Sequence, residues 1–335
     1  MLSICITSYN RVKELERCLK SIDSKLADEI EVVVSEDCSP MREQIKEVVK
    51  EYAEHSPYHV VFNSNEHNLG YDRNLKRLSE LATGQYIMYL SDDDCLFPGK
   101  LDGFIQCLKD HSPAMAYAPF WYGYQEKKRA HRHYAFAHEI AKGIESARTR
   151  VYDAILFSGL TFLRELIVPI DAERFKNLNY FQVYLFLSVI YQYGGYYHDA
   201  IMIDSVSDGE NAYGQVESSG KKNDQLADRE SVFSNLEFNK GLFKVIQMFD
   251  AEYGTDVFDH FCEEYSLRSF GGFCRARKQG LKVYREYWKR LKASDVKLFP
   301  VCYVYYLCVG ILGVSMSRLV FSLPKSVLLQ VRKHL

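Results

Sequence analysis

Three consecutive aspartates, Asp92, Asp93 and Asp94, close the apolar run in "YIMYLSDDDCLFPGKL". Like charges this close repel, so the turn needs a compensating positive charge. Read alone, an Asp-rich turn is a solvated loop, a helix cap or a seat for a hard divalent cation, which takes oxygen ligands. Two other polar clusters close apolar runs upstream: Thr7-Ser8-Tyr9-Asn10 after "LSICIT", and Glu36-Asp37 at the end of "EIEVVVSED". Thr7 and Tyr9 also suit strand-end packing, and Asp37 before Ser39-Pro40 also suits a plain turn.

The elements that must position these residues alternate. "LSICIT", "EIEVVVSED", "YHVVFNSN" and "QYIMYLS" are short β-branched and aromatic runs that predict buried strands. Between them, "VKELERCLKSI" sets Val12, Leu15, Leu19 and Ile22 on one helical stripe. "MREQIKEVVKEYAEH" does the same with Ile45, Val48, Val49 and Tyr52, and "YDRNLKRLSELA" is a third helix stopped by Thr83-Gly84. Strict β/α alternation implies a mostly parallel sheet flanked by helices, with ligands at the carboxyl ends of the strands. All three polar clusters fall at those ends. Further on, "AMAYAPFWYGYQ" reads as a strand, "HRHYAFAHEIAKG" as polar and irregular, and "AILFSGLTFLRELIV" as strand, helix or both. "NYFQVYLFLSVIYQYGG" is a buried helix closed by glycines, "YYHDAIMIDSVS" a strand, and "DGENAYGQVESSGKKNDQ" a loop by composition. From about residue 225 the pattern is helical. The domain reading is 1–215 for the α/β part and 225–335 for a helical C-terminal region.

"ICITSYNR", "SEDCSP", "NLGYDRN" and "LSDDDCLFPG", in this order, resemble family 2 glycosyltransferases of the Rossmann-like GT-A fold, over about residues 1–200. The resemblance implies transfer of a sugar from a nucleotide-sugar, most simply a UDP-sugar, in bacterial cell-surface polysaccharide assembly. It implies a divalent cofactor, Mn²⁺ or Mg²⁺, bound by one or two carboxylates and the donor's phosphates. Carried over by motif, Asp94 would be the main metal ligand, and Asp92 and Asp93 would lie near the ribose and uridine side. Asp37 would accept a hydrogen bond from the base, and Thr7 and Tyr9 would line its pocket. Arg73 would reach base or phosphate, with Asn68 and Gly70 shaping its loop; a surface pairing with Asp72 or Glu80 is the plainer reading of Arg73.

Inverting members need a base for the acceptor hydroxyl, commonly an acidic pair before a helix in the second half of the domain. The corresponding stretch here, "NLNYFQVYLF", has no carboxylate. Asp171 in "VPIDAERF" is the substitute expected, although it equally suits a helix N-cap. Glu165 is a second choice. His198 in "YYHDA" is either a further ligand toward the metal or a packed core histidine.

The composition sets bounds. The net charge of -2 gives no reason to expect nucleic acid, and 47% apolar residues suffice for a substantial core. Nine cysteines without CxxC spacing argue for a reducing compartment and against disulfides or zinc. The N-terminus does not read as a signal peptide, so a cytoplasmic location is expected. Near the C-terminus, Arg268, Arg275, Arg277, Lys278, Lys282, Arg285, Lys289, Arg290 and Lys292 face a single acid, Glu286, in a basic stretch. The uncharged segment Leu298 to Met316 follows, then Arg318, Lys325, Arg332 and Lys333. A basic helix beside an apolar segment suits the inner face of an anionic membrane, peripheral or anchored, and a lipid-linked glycan acceptor; a core helix of a C-terminal subdomain is the plainer alternative. Two other functions compete. A sugar-phosphate nucleotidyltransferase would want a glycine-rich loop after the first strand, and "TSYNRVKELE" has none. A catalytically inactive glycan-assembly partner would explain the missing acidic pair.

Overall fold

The computed structural model describes residues 1–122, 129–205 and 224–332. It divides into two compact units: Met1–Val216 with Met248–Thr255, and Glu217–Gln247 with Asp256–Leu335.

The first unit begins as the periodicity predicts: β1 (Leu2–Ser8), α1 (Val12–Lys20), β2 (Ile30–Glu36), α2 (Arg42–His55), β3 (His59–Ser64), α3 (Tyr71–Leu81) and β4 (Tyr86–Ser91). β1 and β2 are buried at every position, as strands covered on both faces must be. Then follow β5 (Asp94–Leu96), α4 (Leu101–His111), β6 (Met115–Tyr117), β7 (Phe120–Tyr122), β8 (Arg129–His131), β9 (His138–Ile140), α5 (Ile144–Thr149), β10 (Thr161–Leu163), α6 (Arg164–Ile167), α7 (Phe181–Tyr193), β11 (Gly195–Tyr197) and β12 (Ile203–Ser205).

The main sheet runs β3-β2-β1-β4-β10-β6-β11-β9. Its first four strands are parallel, with Thr7 opposite Ser35 and Ser91. β10 runs antiparallel to both β4 and β6, and β9 antiparallel to β11. This departs from strict alternation for a topological reason. The chain reaches β10 at the sheet edge where β4 ends, with no crossover to return it to the starting edge, so the strand enters reversed. A second sheet, β5-β12-β7-β8, carries Asp94 at the start of its edge strand β5. The segment expected to be irregular, 131–143, thus supplies the last residue of β8 and all of β9, and "AMAYAPFWYGYQ" contains β6 and β7. The expected 208–225 loop falls outside the described residues except for its last two, which open a helix.

α7 is buried on all sides from Phe181 to Ile190 and ends at Gly194, whose φ of 79° and backbone approach (an added Cβ would meet Ile140 O at 2.3 Å) exclude a side chain.

The second unit is helical: α8 (Asp224–Tyr253, whose last residues belong to the first unit), α9 (Val257–Arg268), α10 (Phe270–Lys278), α11 (Leu281–Lys292) and α12 (Pro300–Arg332), the last broken at Gly313 with φ 73°. Its core is aromatic. Phe273 packs on Tyr284, Tyr287, Trp288 and Tyr306, and Trp288 stacks on Tyr306 at 4.5 Å. Cys302, Tyr305 and Val309 of α12 are buried, while Leu307, Ile311, Met316 and Leu319 are exposed, Ile311 by 79%.

Candidate active site

The carboxyl edge of the main sheet gathers Thr7, Ser8, Tyr9, Arg11, Asp37, Tyr71, Asn74, Ser91, Asp92 and Phe157 around one pocket. Its centre is the acidic turn. Arg11 Nη1 lies 2.9 Å from Asp92 Oδ1 and 2.8 Å from Asp93 Oδ2. Asp92 Oδ2 also accepts from the Tyr9 amide at 3.3 Å, and Arg17 Nη2 donates to the Asp93 carbonyl at 3.0 Å. A resident arginine therefore already offsets part of the charge for which the sequence offered no partner. Burial still pushes the Asp92 carboxyl up to about 7, with Arg11 countering only in part.

Asp94 is held by serine hydroxyls. Its Oδ2 accepts from Ser158 Oγ at 2.5 Å, and Ser205 also bonds it. Burial, and secondarily the charge of Asp93, raise it to about 7. Two buried carboxyls, each harder to ionise than usual, suit a divalent cation, whose charge would favour their ionised forms. Among the described residues, no group of three or more His, Cys, Asp or Glu side chains is arranged to hold an ion unaided. The donor set therefore fits an ion shared with phosphate oxygens, not an all-protein cage.

The turn after β2 is built by carboxylates. Glu36 accepts from the amides of Cys38 (3.0 Å) and Ser39 (2.5 Å). Asp37 Oδ1 accepts from Leu69 N (2.7 Å) and Asn65 Nδ2 (3.0 Å), and Oδ2 from Gly70 N (2.9 Å). Asp37 thus clamps the 65–70 loop, in which Asn68 Oδ1 also accepts from Gly70 N and Gly70 itself needs its φ of 80°. A carboxylate offers about four acceptor positions, which leaves one at Asp37. Asn74 joins the same network through Ser35 and Asn65.

Of the residues expected from sequence, Thr7, Tyr9, Asp37 and Asp92 line this pocket; Asp93 and Asp94 follow Asp92 in the turn but are not among its lining residues, Asp93 pairing with Arg11 and Asp94 with Ser158. Arg73 points elsewhere: its Nε donates to Leu69 O at 2.7 Å and its guanidinium sits 3.6 Å from Glu173, not beside Asp72 or Glu80. His198 is not grouped with Asp92 and Asp94. Its ring meets Phe104 edge-on at 5.6 Å and burial lowers its pKa, as expected of a packed histidine. Glu165 lies in α6, beyond the end of β10 where Leu163 pairs with Tyr86, so it belongs to the edge where β4 begins. Asp171 is exposed, accepts from Glu173 N, and lines a different cavity with Val189, Gln192 and Tyr193 from the far half of α7.

Arg11, Tyr71, Asn74, Phe157 and Ser158 were not singled out from sequence. Neither was Asp72, whose carboxylate receives the amides of Asn179 (2.9 Å) and Phe181 (3.0 Å) at the start of α7. Burial raises its pKa against those bonds. The helix that lacks an acidic pair of its own is therefore capped by an acid from α3.

A mixed α/β sheet flanked by helices, with an acidic turn at the carboxyl edge of its parallel part and a small second sheet beginning in that turn, has the fold of GT-A glycosyltransferases. Residues 3–165 match Glycosyl transferase family 2. The chain is 31% identical over 111 residues to an uncharacterized glycosyltransferase of Haemophilus influenzae (33% of this chain, 35% of that protein). It is 32% identical over 98 residues to the abequosyltransferase RfbV of Salmonella typhimurium (29% of each). It is 29% identical over 105 residues to a GalNAc(5)-diNAcBac-PP-undecaprenol beta-1,3-glucosyltransferase of Campylobacter jejuni (31% of this chain, 33% of that protein). The matches thus span about a third of the length of these relatives. Among solved structures, S. aureus TarS 1–349 in complex with UDP is similar in fold, with a TM-score of 0.52 at 13% identity over 92% of this chain and 90% of that one.

Proposed function

We propose that this chain transfers a sugar from a nucleoside-diphosphate sugar, most simply a UDP-sugar, to a lipid-linked glycan acceptor in bacterial polysaccharide assembly. The observation that carries the reading is the convergence of Thr7, Tyr9, Asp37 and Asp92, from three strand ends, on one pocket beside the buried Asp94. A base ring would lie between Thr7, Tyr9 and the Tyr71–Phe157 edge-on pair, with the remaining acceptor position of Asp37 taking a ring N–H. Asp92, held by Arg11 and the Tyr9 amide, would accept from a ribose hydroxyl. Asp94, with phosphate oxygens, would hold Mn²⁺ or Mg²⁺. The ion would supply Lewis-acid neutralisation of the leaving diphosphate. S. aureus TarS 1–349 in complex with UDP supports the choice of base.

A lipid-linked acceptor and a position on the inner face of the plasma membrane rest on the second unit and on the Campylobacter relative, whose name places its acceptor on undecaprenol. Pro300–Phe321 is long and apolar enough to cross a membrane, with mean hydropathy 1.7, and only 17% of that window is buried. A core helix would be mostly covered. The basic stretch beside it is partly spent: Arg268 pairs with Glu264 and Arg290 with Glu286.

Thermal stability measured with UDP, GDP, CDP and dTDP, each with Mn²⁺, tests the donor site. A ligand at a hundred times its Kd stabilises by about 2.7 kcal/mol. Failure of all four to stabilise the protein overturns the donor-site reading.

A further inference from the structure

Asp153 lies in a short turn at Val151–Ala154, and around it the structure builds a buried polar cluster outside the donor pocket. Its Oδ1 is 2.8 Å from His133 Nδ1, and each of these side chains keeps 8% of its surface open. Its Oδ2 accepts from Tyr117 Oη at 2.6 Å and Tyr134 Oη at 2.9 Å. Arg150 lies over the Tyr134 ring at 5.1 Å. The His133 ring is packed by Tyr117, Phe120, His131, Tyr134 and Tyr197. Both partners of a histidine–carboxylate pair are thus sequestered and oriented, which an incidental surface pair is not.

Its place in the fold is specific. Tyr117 ends β6, a strand that runs in the same direction as β4, because both are antiparallel to β10. Tyr117 therefore marks the carboxyl edge, two strands from β4, about 10 Å at ordinary strand spacing. Five residues after Asp153, Ser158 donates to Asp94, and Phe157 lines the donor pocket. Five residues reach at most about 18 Å, so the pair is tethered within one short span of the acidic turn. Meanwhile the carboxylate at the start of α7, Asp72, is saturated by backbone amides and 1% exposed.

We infer that His133, oriented by Asp153, is the base that deprotonates the acceptor hydroxyl. With Nδ1–H donated to Asp153, the Nε2 lone pair is the one able to take a proton. The acceptor oxygen bonds to the anomeric carbon and its proton passes to Nε2. The carbon–oxygen bond to the diphosphate breaks with its electron pair on the leaving oxygen. The step is a single displacement with inversion. Asp153 is a positioning residue that fixes the tautomer, and Tyr117 and Tyr134 hold its carboxylate in place.

This inference rests on the donor-site reading, so the experiment separates the two. Thermal stabilisation by UDP, GDP, CDP and dTDP with Mn²⁺ first identifies the nucleotide; if none stabilises, the donor-site reading fails and this inference falls with it. Release of the nucleoside diphosphate from the matching glucose, galactose, N-acetylglucosamine and mannose donors is then followed, with water as acceptor. His133→Ala is expected to lower kcat by about 10²–10⁴-fold, as loss of a general base does, with nucleotide stabilisation and donor KM unchanged. Added imidazole should restore part of the rate to His133→Ala and none to Asp94→Ala. Asp153→Asn should lower kcat without changing donor KM. Turnover by His133→Ala within a few-fold of the native enzyme overturns the assignment. So does loss of turnover with native nucleotide binding that imidazole does not restore. If His133→Ala fails to fold, His133→Gln replaces it, and native kcat in that variant overturns the proposal equally.

Discussion

Arg11 Nη1 bridges Asp92 and Asp93 from β1's end, at 2.9 and 2.8 Å, with its own side chain 10% exposed. The acidic turn is therefore a partly neutralised site, in which one guanidinium bridges two of three consecutive carboxylates. Removing one partner of a buried ion pair costs about 3–5 kcal/mol because a charge is left without compensation. Arg11→Met should destabilise by an amount in that range at pH 8. The loss should be smaller at pH 5, where Asp92 escapes its charge by protonation. Urea unfolding at both pH values checks this; an equal loss at both would mean that the bridge does not carry the charge balance.

The metal-free protein should lose stability as pH rises from about 4 to about 7. Asp92 and Asp94 are both raised to about 7 in the folded chain by burial, against an ordinary carboxyl pKa of about 3.9 in the unfolded one. Between those values the folded state binds more protons than the unfolded state, so stability falls with pH. Mn²⁺ competes with those protons, so its stabilising effect, with UDP present, should grow over the same window. Melting temperatures at pH 5, 6, 7 and 8, with and without Mn²⁺ and UDP, test both slopes. A flat profile without metal would show that these carboxyls are not held above their ordinary range.

Asp94→Ala should abolish transfer while the metal-free protein keeps or gains thermal stability. It removes a buried carboxyl raised chiefly by burial and next by Asp93, and it frees only the hydroxyls of Ser158 and Ser205. The Mn²⁺-dependent part of UDP stabilisation should disappear with it. Native turnover in this variant would sink the metal assignment.

Asp37→Ala should weaken nucleotide binding more than it lowers kcat at saturating donor, and it should also destabilise the free protein. The second effect is not legible in the sequence. It follows because the Asp37 carboxylate receives Leu69 N, Gly70 N and Asn65 Nδ2, and a buried donor left unpaired costs about 1–3 kcal/mol. Calorimetric titration with UDP and Mn²⁺, beside urea unfolding, reads both. Unchanged affinity would remove Asp37 from the base pocket.

The part of the fold legible in the sequence is the part encoded locally. β1 to β4 and α1 to α3 each carry a complete period, and their polar ends mark the carboxyl edge of the sheet without any long-range information. The second sheet escaped because its strands are three residues long: Phe120–Tyr122 and Ile203–Ser205 lay inside longer runs each read as one strand, and Asp94–Leu96 is too short to show alternation. Arg11 escaped because its partner lies 81 residues away; an arginine directly after a left-handed Asn10 at a strand end was the only local signal. Asp72 was read as one letter of "YDRN", although an acid in the first turn of a helix after Gly70 is free to cap something else. Asp153 and His133 belong to segments without periodicity, and only the fold brings them together. Asp171 looked catalytic because it is an acid near the right position, but a carboxylate's place along a loop says little about the edge of the sheet it reaches.

The final prediction concerns α12. Deleting the chain from Leu298 would remove Cys302, Tyr305 and Val309, which are buried, and would open the aromatic core around Trp288 and Tyr306; a truncation therefore confuses loss of membrane contact with loss of folding. Substitution on the outer face avoids this. Leu307 and Ile311 are 57% and 79% exposed, lie four residues apart, and so share one face of the helix. Surface substitutions of this kind change stability by about 0.5 kcal/mol or less, so Leu307→Asp with Ile311→Asp should melt like the native chain. Burying an apolar side chain in a bilayer contributes about 1.5–3 kcal/mol at full burial, and each nearby Lys or Arg adds about 1 kcal/mol at an anionic surface. The double variant should therefore bind anionic vesicles weakly and leave them in high salt, where the native chain stays bound. Sedimentation with phosphatidylglycerol-containing vesicles at low and high salt, alongside UDP stabilisation, separates the cases. If the native chain stays in the supernatant, or the variant sediments as well as the native chain in high salt, the exposed face of α12 is not the membrane contact.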